Sequence, residues 1–452
     1  HTIGFLENTS LVGSYPDRPW WLGTPYRRDI VGDSSNSIIK TEGRIQLMTN
    51  NSDNNVAGAY QFDRWQSIAS AIFLALAGYT VMVSVPVLST ALVTQVGFSP
   101  EQVGRIWGAD MLGLSIGALI SAFTVARMNR RHLVFIGAAL TICANAMCMM
   151  FNDYETLYGL RAIAGVGNGM ITAVGVATLG GTTNPVKAYN LELVGFSFSA
   201  AFEMSFLPTL SMDGIYLFFM GLTVACVLLV FWIPTRPLST EQLALQEQKQ
   251  QKEENWHVPK IMPLICLIAI CFTYTNIGGY FTYIELAALA DGISQEWSGD
   301  VLTWSSFWAI AGCALAWLCQ RFGLFKPLFL SLIIMFASVV MLSAGITDFT
   351  LLISAFVFMT LWTFVDVYQA AMIAFMDRTG SMVALLPCVQ GFGQFVGPNI
   401  AASVLGADLG YGIMFIVSGS MALVALAIYF GVFLYLHKRG VIRPEAALSE
   451  SS

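Results

Sequence analysis

Three observations in the sequence predict an all-α integral membrane protein of twelve transmembrane helices in two pseudo-symmetric six-helix bundles. From about residue 66 to about residue 437 the chain divides into twelve apolar segments. Each is roughly 20 residues long, the length of helix that spans a bilayer. One charged stretch, Pro234–Lys260, divides them six and six, and the loops alternate in charge along the chain. Composition agrees. Charged residues are 11% of the 452, against about 25% in soluble domains. Hydrophobic residues are 56%, and the mean hydropathy is +0.66.

Residues 1–47 lie outside this pattern, with Pro16, Pro19, Trp20, Trp21, Pro25, Arg27 and Arg28 but no apolar run. A secretory signal needs an apolar core of roughly 7–15 residues, so these are expected to be a non-native leader or a disordered tail, dispensable for folding. Met48 reads as a natural start. The first bundle is then 48–233, the central loop 234–259, the second bundle 260–437 and the tail 438–452.

The expected spans run 66–94, 102–126, 131–151, 155–180, 188–210 and 214–233 in the first half. In the second half they run 260–289, 297–320, 327–346, 349–376, 379–405 and 410–436. In the central loop, Ser239 and Gln242 have the spacing of a capping box, which would start a short surface helix. One set of loops carries Arg127, Arg130, Arg131, Lys187, Arg236, Lys249, Lys252, Lys260, Arg321, Lys326, Arg378, Lys438, Arg439 and Arg443. The other carries Glu101, Asp153, Glu155, Asp213, Asp291, Glu296, Asp300, Asp348 and Asp408. Arg105, one turn into the second segment, is the nearest exception. The positive-inside rule places the basic loops and both termini in the cytoplasm, for a multi-pass protein of the cell inner (plasma) membrane.

Several function classes are excluded at this stage. The net charge of −6 comes with no basic stripe for nucleic acid. All eight Cys fall inside apolar segments and the four His lie at ends and in loops, so no metal site is expected. There is no phosphate-binding loop for ATP and no nucleophile constellation for catalysis, so neither an enzyme nor a cofactor is expected.

Charged residues inside the spans are then the main functional signal, because each is expensive there unless paired, protonated or wetted. They are Asp110, Arg161, Glu203, Glu285 and Asp366. Burial moves a carboxyl toward proton exchange near neutral pH, so these are proton-coupling candidates, each with a structural hydrogen-bonding role as the alternative. Arg161, Asp110 and Glu203 lie about 10, 12 and 11 Å from the outer ends of their segments at 1.5 Å per residue. Arg161 is therefore expected to contact at least one of the two acids, with Glu203 as the coupling group. Tyr79, Trp362 and Tyr368 sit too deep for interfacial anchors and are cavity candidates. Asn276, Gly278 and Gly279 suggest a break in the seventh helix where it lines a cavity. Gln390, Gln394 and Asn399 put polar groups into segment 11.

Four motifs carry a family resemblance. Arg127, Arg130 and Arg131 between segments 2 and 3 resemble the G-x-x-x-D-R-x-G-R-R signature of the major facilitator superfamily, with Ala122, Ala126 and Asn129 replacing its first Gly, its Asp and its second Gly. Arg321 and Gly323 repeat part of it between segments 8 and 9, which makes these arginines conformational-gate candidates. Arg161, Gly165, Gly167 and Gly169 resemble the family's R-x-x-x-G-x-G-x-G pattern in segment 4. Gly393, Gly397 and Pro398 are similar to a G-x-x-x-G-P pattern that family exporters place in segment 5, where this chain lacks it. Asp377, Arg378 and Gly380 resemble the 10–11 loop of bacterial permeases of the sugar and drug efflux type. The resemblance covers about 56–440.

It implies a monomeric secondary transporter that moves a small organic solute by alternating access around a midplane site. Proton-coupled export is the first expectation and proton-coupled uptake the second; a non-transporting membrane sensor is the third. The partners implied are the solute, protons and the lipid bilayer. An aromatic cavity bearing carboxylates suits an amphipathic or cationic solute.

The loop charges generate a topological prediction. Asp213→Cys or Asp291→Cys, each as the sole accessible cysteine, reacts with an impermeant thiol reagent added outside, while Lys249→Cys is protected. The reverse pattern contradicts the orientation.

Overall fold

The computed structural model describes residues 62–125, 128–182, 185–235, 258–259, 261–376, 382 and 385–439. The expected helix starting at Ser239 and the expectations for 1–47 fall outside the described residues. The first half contributes α1 (Trp65–Val96), α2 (Pro100–Thr124), α3 (Arg130–Cys148), α4 (Tyr154–Gly180), α5 (Pro185–Phe206) and α6 (Met212–Trp232). The second contributes α7 (Ile261–Ala290), α8 (Gln295–Cys319), α9 (Phe325–Ala344), α10 (Asp348–Met376), α11 (Leu386–Gly406) and α12 (Gly410–Lys438). Ten of these are long and apolar enough to cross a membrane. The other two, α5 with 22 residues and α11 with 21, are more polar, and they occupy equivalent places in the two halves.

The same contact scheme is used twice. α1 packs on α4, α5 and α6, α2 on α4, and α3 on α4 and α6. Adding six to each number gives the contacts of the second half. The halves meet through α2 against α11, α5 against α8, and α1 against α7, which the same exchange also interconverts.

Helix ends explain the acidic loops in a second way. α2, α4, α6, α8 and α10 all start at the acidic end, with Glu101, Glu155, Asp213, Glu296 and Asp348 in their first turns. Negative charge there complements the helix dipole. Ser99, Asp153, Ser211 and Ser294 cap the free N–H groups of the first four, Ser99 in a reciprocal capping box with Gln102. Arg105, the basic exception, is paired with Glu101 at 2.8 Å.

The molecule is closed at this acidic end. Residues 80–92 of α1 and 273–288 of α7 are buried on every side, whereas toward the basic end both helices alternate between buried and partly exposed positions. Tyr283 of α7 donates to the Pro100 carbonyl at 2.9 Å, and the Glu101 carboxylate lies against Gly406 of α11.

One expectation is corrected. α7 runs unbroken through Asn276, Gly278 and Gly279. Its glycines serve close approach instead: a Cβ on Gly278 would lie 3.0 Å from the Gln394 Cα, and one on Gly279 would lie 2.4 Å from the Ser418 Oγ. The interruption falls in α8, where the helix stops at Phe307 and resumes at Ala309. There the hydroxyls of Thr360 and Thr363 on α10 donate to the carbonyls of Trp308 and Ala309 at 3.5 and 2.7 Å. Irregular backbone at membrane depth is tolerated where neighbouring side chains satisfy it. The helix of the eleventh span is described from Leu386, with Pro387 in its first turn, where a missing N–H does no harm, and the expected start at 379 falls outside the described residues.

The closest helix contact is α2 on α4. A Cβ on Gly113 or Gly117 would stand 2.1 Å from the carbonyl oxygen of Ala162 or Val166. One on Gly165 or Gly169 would stand 2.0 or 2.1 Å from that of Asp110 or Leu114. Two interlocking pairs at a spacing of four therefore bring the backbones together, as small residues do between membrane helices. Gly167 faces α3, where a Cβ would meet the Thr141 Oγ1 at 2.3 Å.

Gly165→Ala is expected to destabilise the protein by about 1–3 kcal/mol or more through overpacking. Gly221→Ala, in α6 with no atom near the added Cβ, is expected to be neutral or to stabilise by about 0.5–1 kcal/mol. Thermal unfolding in detergent separates the two.

Candidate functional site

Asp366, midway along α10, is the centre of the candidate site. Both carboxylate oxygens accept from the Tyr274 hydroxyl of α7, each at 2.8 Å. Trp362, one turn earlier, lies on the same face beside the carboxylate. Its ring meets Tyr274 (6.5 Å), Phe281 (5.4 Å) and Phe358 (6.3 Å) edge-on, and Phe196 of α5 at 6.1 Å from the other half. Tyr79 of α1 is within electrostatic reach of both Asp366 and Glu192 of α5. Four helices, two from each half, thus converge on one carboxylate with aromatic walls. Tyr274 and Trp362 are buried, but Asp366 is only half-buried. No Lys or Arg is among the groups named around it.

The second cluster lies within the first half. Arg161 of α4 forms an ion pair with Asp110 of α2, both fully buried. Its other terminal nitrogen donates to the Asn145 Oδ1 of α3 at 2.7 Å. Asn145 donates in turn to the Thr141 carbonyl (2.8 Å), and Thr141 to the Asn168 Oδ1 (3.2 Å). The guanidinium is ringed by Trp107, Tyr216 and Phe219, with centroids 5.5–6.0 Å away. A buried charge is tolerable when paired, hydrogen-bonded and set against aromatic faces.

Glu203 stands apart from this pair. Ser199, one turn back on α5, donates to its Oε1 at 2.7 Å, and Thr80 of α1 lies alongside. Its Oε2 is buried with no hydrogen-bond partner among the described residues. Glu285 faces Thr90 of α1 across the junction of the halves, and its Oε2 is likewise unpartnered. Both amide atoms of Asn276 and the Nε2 of Gln394 are buried without partners among the described residues, in the same tract of α7 and α11. Gln390 is half-buried near the basic end of α11. Asn399 donates to the Phe395 carbonyl of its own helix and lies against Gly108 on the flank of α2. Tyr368 is fully buried and stacks on Phe364 at 4.7 Å, two residues from Asp366 and so on a different face of α10.

The gate candidates stay within their own halves. Arg130 covers the Phe62 ring at 4.8 Å and donates to Thr178 at 3.4 Å. Arg131 binds the Phe231 and Ile233 carbonyls at the end of α6. Arg321 is exposed over Phe322 at 4.8 Å. Arg127 lies outside the described residues.

Asn145, Thr141 and Ser199 complete these clusters and are not among the residues the sequence singles out. Asn145 had a signal, an amide in an otherwise apolar span. Tyr274 and Glu192 were visible as polar groups within spans, but nothing in one dimension aligns them with Asp366.

A family model described as Major Facilitator Superfamily matches residues 68–398. No curated protein matches the chain at a significant level. Among solved structures, the crystal structure of the human organic anion transporter MFSD10 (TETRAN) is similar, with a TM-score of 0.61 and 13% identity over 80% of this chain and 99% of that one. A crystal structure of a point mutant of the nucleoside transporter NupG has a TM-score of 0.62 and 12% identity over 81% of this chain and 99% of that one. At these identities the likeness is one of fold.

Asp110→Ala leaves Arg161 buried without its counter-charge and is expected to cost about 3–5 kcal/mol of stability. Asp110→Ala with Arg161→Met should recover part of that loss. A double-mutant cycle by thermal unfolding reads this; strictly additive losses would mean that the two side chains do not interact.

Proposed function

The chain belongs to the Major Facilitator Superfamily and is a multi-pass membrane transporter, and from that premise we propose a proton-coupled exporter of a small amphipathic or cationic organic solute. The halves 48–233 and 260–437 are the moving bodies, and α5 and α11 cross the membrane with the other ten helices. The protein acts as a monomer in the cell inner (plasma) membrane, with its basic end and both termini in the cytoplasm. The closed acidic end then makes this the inward-facing form.

One observation carries the reading: the half-buried Asp366, held by Tyr274 where α1, α5, α7 and α10 converge. When ionised, Asp366 offers a negative charge and acceptor oxygens to a donor or cationic group of the solute, whose apolar body rests on Trp362, Phe281 and Phe196. When protonated, it loses the charge that attracts a cation. Proton and solute therefore compete for the same carboxylate, which is exchange in opposite directions. With the acidic end sealed by Tyr283 and Glu101, solute loads from the basic side. Rocking of one half against the other opens the acidic side, where the higher proton activity displaces it. Asp110 and Arg161 hold the first half together, while Glu203 and Glu285 are further protonation sites along α5 and α7.

Proton-coupled uptake remains the second reading. It is favoured by the unpartnered Glu203 and Glu285 oxygens, which could load a proton without competing with solute. The pH dependence of binding separates the two: competition makes solute affinity fall as pH falls, whereas co-transport makes it rise.

Proteoliposomes under an imposed pH gradient test the proposal. Wild type accumulates an amphipathic cation against its gradient. Asp366→Asn folds but binds solute about 10–100-fold more weakly, the loss expected for a charge-assisted contact of about 1.5–3 kcal/mol. Its residual binding no longer depends on pH. Unaltered gradient-driven accumulation by Asp366→Asn contradicts the assignment.

A further inference from the structure

A pocket opens at the basic end of the first half, away from Asp366. It has a volume of about 670 Å³ and is lined by Arg64, Trp65, Gln66 and Ser67 at the start of α1, with Arg131 of α3 and Trp232 of α6 among the opposing residues. We propose that this pocket binds the phosphate of an anionic phospholipid.

Four observations converge on it. α1 is uncapped at its N-terminus: Arg64 is the N-cap residue and makes no side-chain cap bond, and the first N–H to reach its carbonyl is that of Ile68. The N–H groups of Trp65, Gln66 and Ser67 precede the first bond within the helix, and a helix N-terminus favours an anion. Ser67 lines the same pocket at 1% exposure, and its buried hydroxyl has no hydrogen-bond partner among the described residues.

Charge is the third observation. The lining holds two guanidinium groups and no carboxylate. Arg131 uses Nε and Nη2 on the Ile233 and Phe231 carbonyls, and no bond engages its Nη1 among the described residues. The fourth observation chooses between a lipid and a free anion. Trp65 is 70% exposed and Trp232 53% exposed at the rim of the pocket. Exposed tryptophans at the end of a spanning helix mark the headgroup level of the membrane. A phosphate bound there sits at the depth of a lipid headgroup, with its acyl chains running along Trp232 and Phe231.

The site joins the first turn of α1 to the last residues of α6, where the chain leaves toward the central loop. A bound lipid would tie these two segments together. Its chemistry requires only the basic end, so it holds whether the transport reading succeeds or fails.

Native mass spectrometry of the full-length protein, titrated with phosphatidylglycerol or phosphatidylcholine, tests the proposal. Wild type retains phosphatidylglycerol in preference to phosphatidylcholine. Removing one arginine charge at a membrane surface weakens anionic-lipid binding about fivefold, so Arg64→Gln should lower phosphatidylglycerol retention by about that factor and leave phosphatidylcholine unchanged. Arg64 is exposed and makes no cap bond, so the fold tolerates the change. Ser67→Ala, which alters no charge, should lower retention in the same direction. Equal phosphatidylglycerol retention by wild type and both variants overturns the site. Displacement of the lipid by millimolar inorganic phosphate overturns the lipid assignment in favour of a free anion.

Discussion

The Arg161–Asp110 pair is the interaction on which the first half depends. A lone arginine at this depth costs about 2.5–3.5 kcal/mol on insertion scales, and a lone buried carboxylate is no cheaper. Neither residue can be there alone. They meet because Gly113, Gly117, Gly165 and Gly169 let α2 and α4 touch backbone to backbone. Asp110 serves both sides of this arrangement. Its carbonyl fills the recess left by the missing Cβ of Gly165, and its carboxylate takes the guanidinium. Asn145 carries the network to α3, so one buried charge fastens three helices into one body.

The second half repeats the scheme with no buried ion pair among the described residues. α8 meets α10 where α2 meets α4, and Gly312 allows close approach, with a Cβ there standing 2.2 Å from the Thr360 carbonyl. Its polar contacts are hydroxyl to carbonyl, at the interruption around Trp308. The carboxylate of α10 is left to face α7 and the first half. On the proposed reading, the duplicated architecture uses its buried charge for cohesion in one half and for solute and proton in the other. The junction is the softer part: the halves meet through α2–α11, α5–α8 and α1–α7, with ring contacts such as Phe196–Trp362 and Phe198–Phe307 in place of buried ion pairs.

The segments were legible in the sequence because a spanning helix must bond its own backbone and cover itself with apolar side chains. The α2–α4 contact was half legible. A rise of 1.5 Å per residue put Arg161, Asp110 and Glu203 at one depth, but depth says nothing of which way a side chain faces. Rotation sends Glu203 toward Ser199 and Thr80 instead. The same limit hid Tyr274, whose bond to Asp366 depends on the phases of two helices 92 residues apart. The glycines of α7 suggest a break when read in sequence, and in the structure they serve contact. The break in α8 carries no Gly or Pro and depends on two threonines of another helix. α5 and α11 are the least apolar helices because they carry Glu192, Glu203, Gln390, Gln394 and Asn399, and they line the junction of the halves.

The central claim is that two rigid halves rock about this junction and expose Asp366 to each side in turn. Double electron–electron resonance between spin labels tests it most directly. One pair, at Asp153 and Asp408, reports on the acidic end; the other, at Asn190 and Arg321, reports on the basic end. The account predicts opposite changes when pH or solute is varied, the acidic-end distance lengthening as the basic-end distance shortens. Distances that stay fixed at both ends, or that lengthen together, would contradict it.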